Sequence, residues 1–402
     1  MHVNNQRDTN LRHLSIGPAL TNLRFDRKQF YCPRCHVSKM QSVLFQAKGH
    51  RITIQLYNYT CELLSKGGYT LKQVAEITGL GKNTVKEIDK KRLQELYTVD
   101  GKTLTQPEQP ARYLGIDEFK LHKGHRFATH IIDMETGHIL WIAYGKKKQV
   151  VYDFIGHVGL EWMKNVEAIA CDMNSDFQEA FEERCPHIQV VFDHFHIVKN
   201  FNDKVVSAVR KDEQKRLHDE GNEAASKALK RTKYILTSKR STLQAKDEEA
   251  RKGKEIQKGS HLFGIESIKR KEGYEAKYVE LLKENRLLFM LDLVKEKLAE
   301  AYRTDDAVSM TEAILEIMDL CEATGNCHFK SFARLLDSHF EGIIAHAIYK
   351  ISSGKIEGIN NKIKTIRRQG YGYPDDEYFF LKLFDASRSI YVRNVRSHKI
   401  CD

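Results

Sequence analysis

Three carboxylates are set apart by where they fall along the chain. Asp117 closes the apolar run ARYLGIDEF and Asp172 closes VEAIACD, and both runs read as short strands. A strand that ends in an acid presents that acid at the edge of a sheet, where ligands gather in open α/β folds. Mg²⁺ takes one or two carboxylates and completes its shell with water and phosphate oxygens. Two such ions, about 3.5–4 Å apart, stabilise both the attacking and the leaving oxygen of an in-line phosphoryl displacement. Two aspartates and one further acid suffice for that chemistry. A strand-end aspartate also serves simply to cap the following turn, and for either acid alone both readings stand. The third acid lies in GKIEGINNKIKTIRRQ, read as a helix capped by Ser352 or Ser353, on which Glu357, Asn361 and Lys364 share one face at spacings of four and three.

The elements around these acids follow from periodicity. After the strand over 111–119, residues 125–145 form two apolar runs joined by Glu135, Thr136 and Gly137, a hairpin signal. A helical pattern over 148–165, a strand over 166–172, a helix over 175–185 and a strand over 187–193 complete the order. Three meandering strands followed by alternating helices and strands are the succession of a ribonuclease H-like α/β fold, a mixed sheet with helices on both faces. This catalytic core is expected to span 113–198 and to resume at 350–402, around an α-helical insertion over 199–349. One long helix is expected over 274–303, which is rich in strong helix formers.

Ahead of the core, 98–112 is polar and holds two prolines and a glycine, as a linker does. Residues 51–97 form a small unit in which GYTLKQVAEITGLGKNTVKEIDKKRLQELY has the period of two helices around a glycine turn, a helix-turn-helix pattern. Its second helix would enter a major groove and present Lys82, Asn83, Thr84 and Lys86 to phosphates and base edges. An ordinary helical hairpin has the same period, but the basic, polar run KNTVK favours DNA. Residues 1–50 contain the close pair Cys32 and Cys35, a partial zinc-ribbon-like segment.

At 402 residues the chain is long enough for two to four folding units. No apolar run approaches the ~20 residues needed to span a bilayer, and the first residues lack a charged segment followed by an apolar core, so a cytoplasmic, nucleoid-associated protein is expected. Eight scattered cysteines are not the framework of a disulfide-rich secreted protein. The net charge of +11 suits a polyanionic partner. The stretch from Lys199 to Ser260 holds 17 basic and 10 acidic residues, which fits either nucleic-acid binding or a solvated helical face.

LGIDEF (114–119), IACDMN (169–174), VFDHFHIVKN (191–200) and GKIEGINNKIKTIRRQGYGY (354–373) together resemble the DDE transposases of the ISL-three family of bacterial insertion sequences. The last motif is the most specific. The resemblance implies a catalytic triad of Asp117, Asp172 and Glu357 holding two Mg²⁺ or Mn²⁺ ions. It implies double-stranded DNA, both element ends and target, as the partner, homo-oligomer assembly on that DNA, and neither a membrane nor a small-molecule substrate. Lys362, Lys364, Arg367 and Arg368 of the last motif are expected on DNA, with Asn361 accessory. Asp193 and His196 form a D-x-x-H element similar to an accessory motif in related transposases; it would position a scissile phosphate or a flipped base, or serve as a buried structural pair. The family begins with two cysteine pairs that bind zinc, whereas this chain offers only Cys32 and Cys35, with His36 and His50 nearby. Two rival functions share these features: a repressor derived from a transposase, and a structure-selective nuclease without strand transfer.

Overall fold

The computed structural model describes residues 2–388 apart from 123, 125, 174, 261–263, 270–271, 352–353 and 371–372. The expected cap at Ser352 or Ser353 lies outside the described residues. The chain divides into two compact units, one formed by Met1–Gln109, Thr136–Ile142 and Glu357–Asp402, the other by Pro110–Glu135 and Ala143–Ile356.

The first unit opens with an antiparallel sheet of β1 (His2–Arg12), β2 (Asn22–Cys32) and β3 (Val37–Met40). Helices α1 (Ile54–Ser65), α2 (Leu71–Thr78) and α3 (Lys82–Tyr97) follow, around a core that includes Leu56, Leu63, Val74, Val85 and Ile88. Thr70 and Gln73 close a capping box at the start of α2, which satisfies two backbone donors that would otherwise be orphaned. Gly79 ends α2 at φ +67°, a left-handed conformation that glycine adopts without strain. A Cβ there would also lie 2.7 Å from Leu20 and 2.9 Å from Arg12, so the turn is clasped by the base of the β1–β2 hairpin.

A five-stranded mixed sheet is built from β4 (Tyr113–Lys120), β5 (Phe127–Asp133), β6 (Ile139–Tyr144), β7 (Ala168–Cys171) and β8 (Gln189–Phe192) in the order β6-β5-β4-β7-β8. β4 runs antiparallel to β5 and parallel to β7, which is parallel to β8. Helices α4 (Lys148–Val158), α5 (Leu160–Met163) and α6 (Ser175–Arg184) connect these strands, and α7 (His194–Asn200) leaves β8. All four residues of β7 are buried, the apolar run expected of a parallel strand covered on both faces.

A π-helical segment, Phe201–Val206, joins α7 to α8 (Ser207–Asp219). Then come α9 (Glu223–Leu229), α10 (Lys233–Thr237) and α11 (Arg240–Arg251), a hairpin of β9 (Glu255–Ser260) and β10 (Gly264–Lys269), and α12 (Tyr274–Glu284), α13 (Arg286–Ala301), α14 (Ala307–Ala323), α15 (Cys327–Ser338) and α16 (Phe340–Tyr349). The single helix expected over 274–303 is therefore two. Asn285 takes an extended conformation and its side chain accepts from Leu287 and Leu288 N–H, capping α13 where the sequence had suggested continuity. A Cβ on Gly342 would lie 2.5 Å from the Phe192 ring, so α16 returns in close contact with β8. The chain ends in α17 (Gly354–Gln369) and α18 (Asp376–Arg388). Among the described residues no helix is long and apolar enough to cross a membrane.

Candidate active site

Asp117 is the fifth residue of β4 and does not end the strand as the sequence reading had it; β4 runs on through buried Phe119 to Lys120. Tyr113, Gly115, Asp117 and Phe119 share one face by the two-residue alternation of a strand. The Asp117 carboxylate accepts the Glu118 N–H at 2.7 Å. Asp172 is the first residue beyond β7. The parallel register pairs Tyr113 with Ala168, Leu114 with Ile169 and Gly115 with Ala170. Continued by two residues, that register brings Asp172 level with Asp117. The two carboxylates act together on their neighbours: beyond the effect of its burial, both push up the Cys171 thiol, and both add to the raised pKa of Glu118.

Three further groups lie around this pair, none of them foreseen. Glu118 is raised first by burial, with Lys146 opposing, and one of its carboxylate oxygens is buried without a hydrogen bond among the described residues. His130 faces Asp117 directly across the β4–β5 ladder. It is fully buried, neither ring nitrogen has a hydrogen-bond partner among the described residues, and desolvation pulls its pKa down to about 4, which favours the neutral imidazole. The adjacency of Glu118 to Asp117 was visible in the sequence; His130 and Lys146 depend on strand pairing and had no local signal.

Asp193 caps α7 by accepting the Phe195 N–H at 3.1 Å, and lies 3.5 Å from His196 Nδ1. That pairing raises the His196 pKa, burial opposes it, and Asp172 and Asp117 add to the rise. The D-x-x-H element is thereby in the electrostatic field of both strand acids. Behind it His194 and His346 pack on the Tyr302 ring at 4.3 and 5.0 Å between centroids, and burial lowers both histidines.

Glu357 lies in the first turn of α17 and is exposed. The residue before it, Ile356, is buried, and a Cβ on Gly115 would fall 2.9 Å from its side chain and 2.5 Å from the Met134 sulfur. A side chain there, two residues ahead of Asp117, would have to push both aside. By the unit division Ile356 belongs with the two aspartates, whereas Glu357 begins the next segment of the other unit.

On α3, Lys82 and Asn83 are exposed and Thr84 is half-buried. Lys86 is paired with Asp375 at 3.0 Å and lies 5.5 Å from the Tyr378 ring centroid. On α17, Asn361, Lys364 and Arg368 are exposed and Arg367 half-buried. Lys362 turns inward to donate to the Ala386 carbonyl, and burial lowers its pKa.

Among the described residues no group of three or more His, Cys, Asp or Glu side chains forms a ready-made metal cage. Asp117 and Asp172, level in register on adjacent parallel strands, nevertheless offer hard oxygen donors, which fit a divalent cation that keeps much of its water. Cys32 receives the backbone N–H groups of Cys35 and Arg34, which lower its thiol pKa. Two thiolates make up half of a structural zinc shell, so the described residues do not form a complete zinc site.

The chain is similar to known proteins over most of its length. A family model described as transposase, that of the ISL-three DDE enzymes, matches residues 114–383. The transposase for insertion sequence element IS1001 of Bordetella parapertussis is 26% identical over 374 residues, which is 93% of this chain and 83% of that protein. The transposase for insertion sequence element IS1557 of Mycobacterium tuberculosis is 23% identical over 266 residues, 65% of this chain and 57% of that protein. Because the family model spans well over half of the chain and takes in all three motif acids, this protein belongs to the ISL-three family of DDE transposases, the enzymes of bacterial insertion sequences.

Proposed function

We propose that the chain binds the terminal inverted repeats of its element and, with Asp117, Asp172 and Glu357 as metal ligands, hydrolyses a phosphodiester and then directs the freed 3′-OH onto target DNA. The observation that carries this reading is the parallel register bringing Asp172 level with Asp117 on adjacent strands, next to the glycine on which Ile356 packs. The mixed sheet supports a ribonuclease H-like core, in which the helices from α8 to α16 form an insertion ahead of Glu357.

Two Mg²⁺ or Mn²⁺ ions, when bound, would supply electrostatic stabilisation of the attacking and leaving oxygens. The protein's own part is positional. Asp117 and Asp172 hold fixed negative charge at one end of a rigid sheet. Neutral His130, opposite Asp117 across the β4–β5 ladder, adds no charge that would compete for the carboxylate. His196, biased toward its charged form by Asp193, offers a cation to a phosphate oxygen near the aspartates. Lys82, Asn83 and Thr84 at the start of α3 contact the element's ends, in a helix-turn-helix formed by α2 and α3. Lys364, Arg367 and Arg368 follow the Glu357 face of α17 toward the same DNA. The acting species is a homo-oligomer assembled on DNA.

Full-length protein with labelled element ends tests the reading. Asp117→Asn, Asp172→Asn and Glu357→Gln should each lower cleavage in Mg²⁺ by about 10³-fold or more while end affinity stays within about twofold, since each removes a ligand and little of the fold. Cleavage that survives in any one variant removes that residue from the triad.

A further inference from the structure

The first unit contains a charged network that the proposed chemistry does not use. Asp89 of α3 is completely buried. Its carboxylate accepts from Tyr378 Oη at 2.7 Å and Lys382 Nζ at 3.0 Å, both on α18, and from Arg92 at 2.9 and 3.1 Å. Arg92 reaches on to Asp385 at 2.9 Å, which also accepts from Tyr97 Oη at 2.8 Å. At the other end of the same seam Asp375 holds Lys86 at 3.0 Å and Lys90 at 3.1 Å. α18 is in turn fixed to α17: Ile359, Ile363 and Ile366 line a small apolar pocket with Leu383 and Ala386, and Lys362 donates to the Ala386 carbonyl.

Joining two helices does not require a buried acid. Apolar residues of similar volume hold helices together as well or better, because a carboxylate taken out of water loses several kcal/mol of hydration. What a fully bonded carboxylate adds is direction: Asp89 is satisfied in a single axial register of α18 on α3, whereas an apolar seam tolerates sliding. α18 carries that register to α17, the helix that bears Glu357.

We infer that Asp89 is a positioning residue for the third acid: through Tyr378, Lys382 and the α17–α18 contact it makes the end-recognition helix and the Glu357 helix one block, so that docking on an element end sets where Glu357 stands. This rests on the proposed assignment of Glu357 as a metal ligand and of α3 as the recognition helix. Asp89 has no contact with DNA or metal in this account.

The test uses full-length protein and a duplex carrying the element's terminal repeat, with cleavage measured at saturating DNA and affinity measured separately. Asp89→Asn is expected to leave affinity within about twofold and to lower cleavage by about tenfold or more, a kcat effect without a binding effect. Glu357→Asp, which retracts the carboxylate by one methylene, supplies the discriminating arm. If Asp89 acts by placing Glu357, the losses in the double variant fall short of their product by about fivefold or more, because both changes spoil the same placement. Multiplicative losses, an affinity loss without a cleavage loss, or no loss at all would each overturn the inference. Should Asp89→Asn fail to fold, Tyr378→Phe removes one hydrogen bond to Asp89 and keeps the ring, and the same cycle applies to it. Failure of the underlying reading is separately visible, since Glu357→Gln would then still cleave.

Discussion

Lys86 shows how a residue suited to DNA can already be engaged. Its ammonium faces Asp375, which also holds Lys90 and caps α18 by accepting the Tyr378 N–H. A phosphate at Lys86 therefore competes with a carboxylate. Asp375→Asn keeps the cap and removes the charge, so DNA affinity at low salt should rise by about two- to tenfold with a steeper salt dependence, because the freed lysines release counterions. A salt titration followed by fluorescence anisotropy checks this, and an unchanged slope would place both lysines away from DNA. His196 gives a second residue-level expectation. Its pKa is raised, chiefly by Asp193, so the stabilisation from their pairing is complete below the imidazole's ordinary value of about 6.5 and is lost as pH rises through the folded-state value. Asp193→Asn retains the α7 cap but should move the His196 titration downward in an NMR pH series; an unmoved titration would mean that the pairing does not set its charge.

At the level of elements, β4 and the start of α17 depend on a residue with no side chain. Gly115→Ala places a methyl against Met134 and Ile356, and should cost about 1–3 kcal/mol of stability in a thermal or denaturant melt while lowering cleavage more than end binding. Normal cleavage would show that the Ile356 contact is dispensable. The same elements show what the sequence made legible. α2, its turn and α3 could be read because Thr70, Gln73 and Gly79 are local signals, and β7 and β8 because buried parallel strands are short apolar runs. The N-terminal sheet was not legible: most of β1 is exposed, so it lacks the alternation that marks a half-buried strand. Asn285 was missed because an asparagine inside a strong helix pattern becomes a cap only when tertiary packing turns the chain. Within the site, Asp117 and Asp172 stood out as acids closing apolar runs, whereas His130 and Lys146 become neighbours of Asp117 and Glu118 only through strand pairing and folding.

For the whole molecule, the +11 charge is concentrated unevenly, and the stretch from Lys199 to Ser260, with 17 basic and 10 acidic residues, carries much of it. Charge reversal at Lys230, Arg231 and Lys233 should weaken DNA binding by about tenfold at low salt if this region grips DNA, an effect that fades as salt screens it. The Lys233 pair with Asp203, at 3.1 Å and largely exposed, is worth under about 1 kcal/mol and would not mask the result. Persistent affinity and cleavage would assign the region to assembly. The Asp89 seam also has a consequence in time. Asp89 and Tyr378 are 289 positions apart. At a synthesis rate of about 5–20 residues per second, the acid waits roughly 15–60 s on the ribosome for its donors. During that interval the nascent chain carries a carboxylate in α3 that water must solvate and that therefore opposes closing the interior around it. A newborn chain thus closes the seam between α3 and α18 only after α18 has been made, long after the rest of α3's own packing can form.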